Sequence, residues 1–192
     1  RLEPPHRLSV ERGEPHYVPT LHVHPADLRG EHAHAPLDER RVEGLVEPLL
    51  GLRPEGVEFF AKTGSDSLMG VWTPSDGKPL FVYFDSGFEP ISVLCEDSRS
   101  FLSLLLCDVG LLYDALYDLE AAKADSRFRG EELQAHFQML NEENEGRPDF
   151  VRWCAERGVE EPADPVGLMA TAIESNPSFS AWLGQLGVEG LG

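Results

Sequence analysis

Val57-Glu58-Phe59-Phe60-Ala61-Lys62, Leu68-Met69-Gly70-Val71-Trp72, Leu80-Phe81-Val82-Tyr83-Phe84 and Ile91-Ser92-Val93-Leu94-Cys95 decide the fold. Each run is short and rich in the β-branched and aromatic residues that fit a pleated surface. The breakers between them, Gly64-Ser65-Asp66, Pro74-Ser75-Asp76-Gly77 and Asp85-Ser86-Gly87, supply left-handed positions and local side-chain hydrogen bonds that reverse a chain. Connections this short favour antiparallel neighbours, because a parallel crossover needs about a dozen residues or more. Asp97 or Ser98 can cap a helix in which Phe101, Leu102, Leu104 and Leu105 recur at helical spacing and cover one face of the sheet. The expected class is therefore α+β, with an antiparallel sheet of four to six strands packed against helices on one side and a helical C-terminal portion.

Working outward from the strands, Gly64-Ser65-Asp66, Val71-Trp72, the Pro-bounded strand Pro79 to Phe84, Asp85-Ser86-Gly87, and Glu96-Asp97-Ser98 leading into Phe101-Leu102 form an ordered set. This set resembles the SUKH superfamily, which includes Smi/Knr-type fungal regulators and many bacterial immunity proteins. The resemblance spans roughly a quarter to a third of the chain, about one sheet-and-helix unit. It implies a non-catalytic, protein-binding module of bacterial type, most often an immunity protein of a toxin-antitoxin pair that masks its toxin. Members open with a helix and an Asn-Gly-Gly-like turn. Here the candidate helix from Leu37 to Leu50 ends at Gly51 and runs into Leu52-Arg53-Pro54-Glu55-Gly56 without that turn.

A chain of 192 residues suits one core with extensions. The expected division is a Pro- and His-rich arm over 1–36, a sheet-and-helix core over 37–112, and a helical portion over 113–192 packed on that core. Hydrophobic residues at 41% and charged residues at 26% are ordinary for a globular chain, so wholesale disorder is not expected. No apolar run approaches the roughly 20 residues of a membrane span, and no signal peptide is legible. Cys95, Cys107 and Cys154 lack CxxC spacing and fall on apolar positions, which reads as buried free thiols. An odd cysteine count without an export signal leads us to expect a cytoplasmic location.

Charge carries the next inference. Against 16 Lys+Arg stand 34 Asp+Glu, a formal net charge of −18. Residues 57–112 carry 3 basic and 8 acidic side chains, and 113–192 carry 6 and 16. Such a field repels nucleic-acid and membrane phosphates and attracts basic surfaces. Acidity also serves solubility alone, and composition does not separate the two uses.

The arm is punctuated by Pro4, Pro5, Pro15, Pro19, Pro25 and Pro36, which exclude a long helix. His22 with His24, and His32 with His34, would each share one side of an extended strand, a usable pair for zinc, with Asp27 or Glu31 as a third ligand. Lacking a Cys partner or a helical HExxH, a solvated arm with incidental histidines is the preferred reading. No cofactor is expected.

From Leu111 onward Leu112, Leu116, Leu119 and Ala122, then Leu133, Phe137 and Leu140, then Phe150, Trp153 and Cys154, then Leu168, Ala172 and Ile173 give four amphipathic helices. Gly110, Gly130, Gly146-Arg147-Pro148, Gly158 and Asn176-Pro177 separate them, with Pro148 placed for a first helical position and Gly158 for a C-terminal cap. Phe179 to Leu186 reads as a further short helix.

No nucleophile elbow and no Gly-rich phosphate loop is present, so an enzyme is not expected. Turns at sheet ends face solvent and tolerate specialisation. Asp66, Asp76, Asp85, Glu89 and Asp97, with Trp72, are the candidate rim for a basic protein partner, which the resemblance implies to be a nuclease-type toxin. A regulatory or scaffold adaptor, and a metal-binding protein using the arm, are the alternatives. Oligomeric state is not legible.

Overall fold

The computed structural model describes residues 50, 54–62, 67–75, 77–87, 89–144 and 146–188. Asp66, Asp76, the arm with its His22, His24, His32 and His34, and the candidate helix before Leu50 lie outside the described residues. Within them the strands are β1 (Val57–Lys62), β2 (Leu68–Trp72), β3 (Leu80–Phe84) and β4 (Ile91–Cys95). Helices α1 (Ser98–Leu105), α2 (Val109–Tyr117) and α3 (Leu119–Ala124) follow, then a 3-10 turn (Ser126–Phe128). The chain continues through α4 (Gly130–Glu143), α5 (Arg147–Ala155), α6 (Pro165–Ser175) and α7 (Phe179–Gln185). The fold is α+β. The sheet is an antiparallel meander in the order β1-β2-β3-β4.

Two bulges tune which side chains go where. Phe60 is the extra residue of β1 between Phe59 and Ala61, and Leu94 that of β4 between Val93 and Cys95. A bulge breaks strict alternation. As a result Phe60 with Ala61, and Leu94 with Cys95, all pack into one apolar layer with Met69, Tyr83, Leu104 and Leu112. Phe81 stacks on Phe101 at 4.4 Å there, and Phe60 meets both edge-on.

The opposite layer holds Phe59, Leu68, Trp72, Leu80, Val82, Phe84 and Val93 against Ala172, Phe179, Leu183 and Val188. Helices thus cover both faces of the sheet, correcting the one-sided expectation. α6 packs against β4 and contributes Val166 and Met169 to the first layer and Ala172 to the second, which shields an edge strand. Gly70 is required by close approach. A Cβ there would sit 2.7 Å from the Glu58 carbonyl oxygen and 2.9 Å from the Phe59 ring.

The helices are set by their caps. Asp97, Asp108, Asp118, Asp125 and Asp164 each accept a backbone N–H at a helix or 3-10 start. Much of the local acidity therefore has structural employment. Asp118 divides the first expected C-terminal helix into α2 and α3, and Gly110, expected as a separator, lies in the first turn of α2. Pro148 takes the second helical position of α5 rather than the first. Gly158, at φ +68°, ends α5 as expected: its N–H reaches Ala155 O and that of Val159 reaches Cys154 O. No single helix among the described residues is long and apolar enough to cross a membrane.

Asp97 accepts from the N–H groups of Arg99 and Ser100, both at 2.9 Å, and from Ser100 Oγ at 2.7 Å. The Ser100 bonds, more than Arg99, hold its carboxyl below the usual range. Asp97→Ala is expected to cost about 1 kcal/mol at neutral pH in urea unfolding. Because the native pKa is depressed, this contribution is present above the unfolded value and lost as pH falls through the native one. The gap between wild type and variant should close below about pH 4.

A candidate acidic, tyrosine-lined face

The face is built from the β3–β4 connection and the break between α2 and α3. Asp85 closes β3. Only 9% exposed, it accepts from Ser67 Oγ at 2.6 Å and from the Gly87 N–H at 2.8 Å, while its own N–H donates to Pro90 O. The Tyr83 hydroxyl hydrogen-bonds Ser67, and burial chiefly pushes its pKa up to about 12. This buried chain pins the connection and leaves Glu89 exposed on it.

Across from the connection, Tyr113 and Tyr117 lie one helical turn apart on α2, rings stacked at 6.0 Å and 21°. Tyr117 is 64% exposed, the largest value among the described exposed large hydrophobic side chains. A groove of about 330 Å³ runs beside the pair, walled by Asp114, Asp118, Asp125 and Arg127 and floored by Ala122 and Phe128. Partial burial raises the Tyr113 pKa first, and the negative charges of Asp85, Asp114 and Glu89 add to it. Connection and groove therefore share one electrostatic face.

Arg127 is the groove's own cation. Its Nη1 meets Asp114 Oδ2 at 3.1 Å, its Nε meets Asp125 Oδ2 at 2.8 Å, and its guanidinium lies 5.4 Å from the Phe128 ring centre. The Arg127 backbone N–H and then its side chain hold Asp125 below the usual carboxylate range.

The structure redistributes the expected rim. Trp72 is a correction: at 1% exposure it is core, packed on Phe179 at 5.2 Å and Trp182 at 5.3 Å. Asp85 is a buried anchor rather than a rim residue, and the oxygens of Asp97 are committed to the α1 cap. Of the described candidates, Glu89 is exposed and its negative charge reaches Tyr113 at the groove. Tyr113, Tyr117 and Arg127 were not singled out by sequence. Their signal is Tyr113-Asp114-Ala115-Leu116-Tyr117-Asp118, two Tyr-Asp pairs one helical turn apart.

Cys95, Cys107 and Cys154 are buried and free as expected. Burial pushes the Cys95 thiol up to about 12, Cys154 to about 11 and Cys107 further still, the opposite of what a nucleophile needs. Among the described residues no group of three His, Cys, Asp or Glu is placed to hold a metal. Compared with family models, curated proteins and solved structures, the chain finds no match in any of the three.

Proposed function

We propose that this chain is a non-catalytic, cytoplasmic protein-binding module that offers the face around Tyr113, Tyr117, Asp114, Asp118 and Glu89 to a basic protein. One observation carries the reading: a stacked tyrosine pair, Tyr117 exposed and Tyr113 half-buried, set in a concave acidic wall. Exposed aromatic rings with a polar tip are the residues that most often anchor interfaces, and clustered charge of one sign steers an oppositely charged partner. The resemblance of the central strands and turns to SUKH proteins supports a specific form, an immunity protein covering a basic, nuclease-type toxin.

Capture by wild type, Glu89→Lys and Asp118→Lys in low and high salt tests it. A basic protein should be held in low salt, released in high salt and retained several-fold less by either variant, since exposed charges are screened. Asp85→Lys is a poor probe because it would replace the acceptor of a buried network by a cation that its donors cannot satisfy. Association indifferent to salt and to both variants would overturn the reading. If that association ran through the exposed Met139 of α4 or Leu186, the residue that caps the end of α7, an adaptor role would replace it. Metal in stoichiometric amount in untagged protein would instead favour the arm histidines.

A further inference from the structure

Resting on the acidic-face reading, we propose that Arg127 is a built-in competitor: it occupies the position that an arginine of the partner takes, and the partner's guanidinium displaces it from Asp114. Three independent features of the groove select a guanidinium. The wall supplies carboxylates from two directions, Asp114 on α2 and Asp125 before the 3-10 turn, spaced so that one planar fork meets both. The tyrosine pair offers ring faces, on which a guanidinium stacks better than a strongly hydrated ammonium. The groove demonstrably accepts this group, since the chain's own copy sits in it with an aromatic ring at 5.4 Å.

Displacement is inexpensive. The Arg127 side chain is 56% exposed and its two ion pairs are solvent-screened, so they hold it weakly. Among the described residues the Asp118 carboxylate accepts the Ala121 N–H at 3.0 Å through Oδ1 and no partner at Oδ2, which faces the incoming group in this proposal, and Tyr117 stands exposed beside it. A partner that lacks arginine at its centre would gain the long-range attraction but not this seat. The groove thus discriminates among basic proteins rather than binding all of them.

The test uses the whole chain and two defined probes, a short polyarginine peptide and a polylysine peptide of equal length, titrated by calorimetry. Wild type should prefer polyarginine. Arg127→Gln should tighten polyarginine binding by about fivefold while changing polylysine much less. Arg152→Gln, an equal charge change at an exposed residue of α5, controls for net charge and should leave the preference unaltered. Tyr117→Ala, at an exposed position that folding tolerates, should abolish the preference for arginine.

Equal tightening of both peptides by Arg127→Gln and Arg152→Gln would overturn the proposal. So would polyarginine binding that is lost in Asp114→Asn yet indifferent to Arg127→Gln, which would leave the acidic-face reading standing. Failure of both peptides to bind wild type and Arg127→Gln alike would overturn both.

Discussion

Trp72→Ala will destabilise the fold by about 3–5 kcal/mol, the range for emptying a core position of a large aromatic ring. The side chain is fully buried and packs against the stacked rings of Phe179 and Trp182 of α7, so truncation opens a cavity on the sheet face that α7 covers. For a chain of this size the melting temperature should drop by about 10 °C. That loss is a large fraction of a typical domain stability of about 5–15 kcal/mol, so Trp72→Phe is the better variant for binding work. It should cost much less, because it keeps a ring and removes an indole N–H that meets no acceptor among the described residues. Groove and Trp72 belong to opposite apolar layers. Salt-dependent capture by Trp72→Phe should therefore equal that of wild type; a selective loss of binding in a folded Trp72→Phe would return Trp72 to the interface.

Trp72 also shows where reading a sequence stops. The four strands were legible to the residue, because aromatic and β-branched runs bounded by Gly, Pro and Asp admit little else. Which face each side chain takes was not. The bulges at Phe60 and Leu94 break the period of two, and a bulge is fixed by pairing with a neighbouring strand rather than by local composition. The apolar positions of α6 and α7 announced helices but not that they would close the second face. The split at Asp118 went unseen for a related reason: no Gly or Pro marks it, and Asp118 stops α2 by capping α3. Yet that split makes the groove. Without it the Tyr113–Tyr117 pair of α2 and Arg127 of the 3-10 turn would not meet; with it they line one concavity, and the charge of Glu89 reaches Tyr113 there.

The largest charge effect should come from buried Arg147 and its half-buried partner Glu161, where Nη2 meets Oε1 at 2.9 Å. Arg147 is 7% exposed, its guanidinium lies 5.6 Å from the Phe137 ring centre, and its Nε meets no acceptor among the described residues. Burial moves both partners toward neutrality, lowering Arg147 and raising Glu161, against the attraction each exerts on the other. Nearby, burial likewise raises Asp108 and lowers His136. Desolvation thus outweighs Coulomb attraction at this pair, which predicts a particular pattern in a double-mutant cycle. Each single change, Arg147→Met or Glu161→Leu, should cost about 3–5 kcal/mol at neutral pH by leaving the other charge without its partner.

The two singles should then part company in acid. Stranded Glu161 can take up a proton, and its native pKa, already raised by burial, rises further without Arg147. Stability of Arg147→Met is therefore greatest below the unfolded glutamate value and is lost as pH rises through the native one, so much of its deficit should vanish by about pH 5. Stranded Arg147 has no comparable escape, and the deficit of Glu161→Leu should stay flat over the same range. The double variant should recover to within about 1 kcal/mol of wild type, since two apolar side chains carry no desolvation penalty. Urea unfolding of the four proteins at neutral pH and in mild acid measures all of this. A double variant as unstable as its worse parent would mean that Arg147 and Glu161 hold α5 against the chain after Val159 by geometry that packing cannot replace.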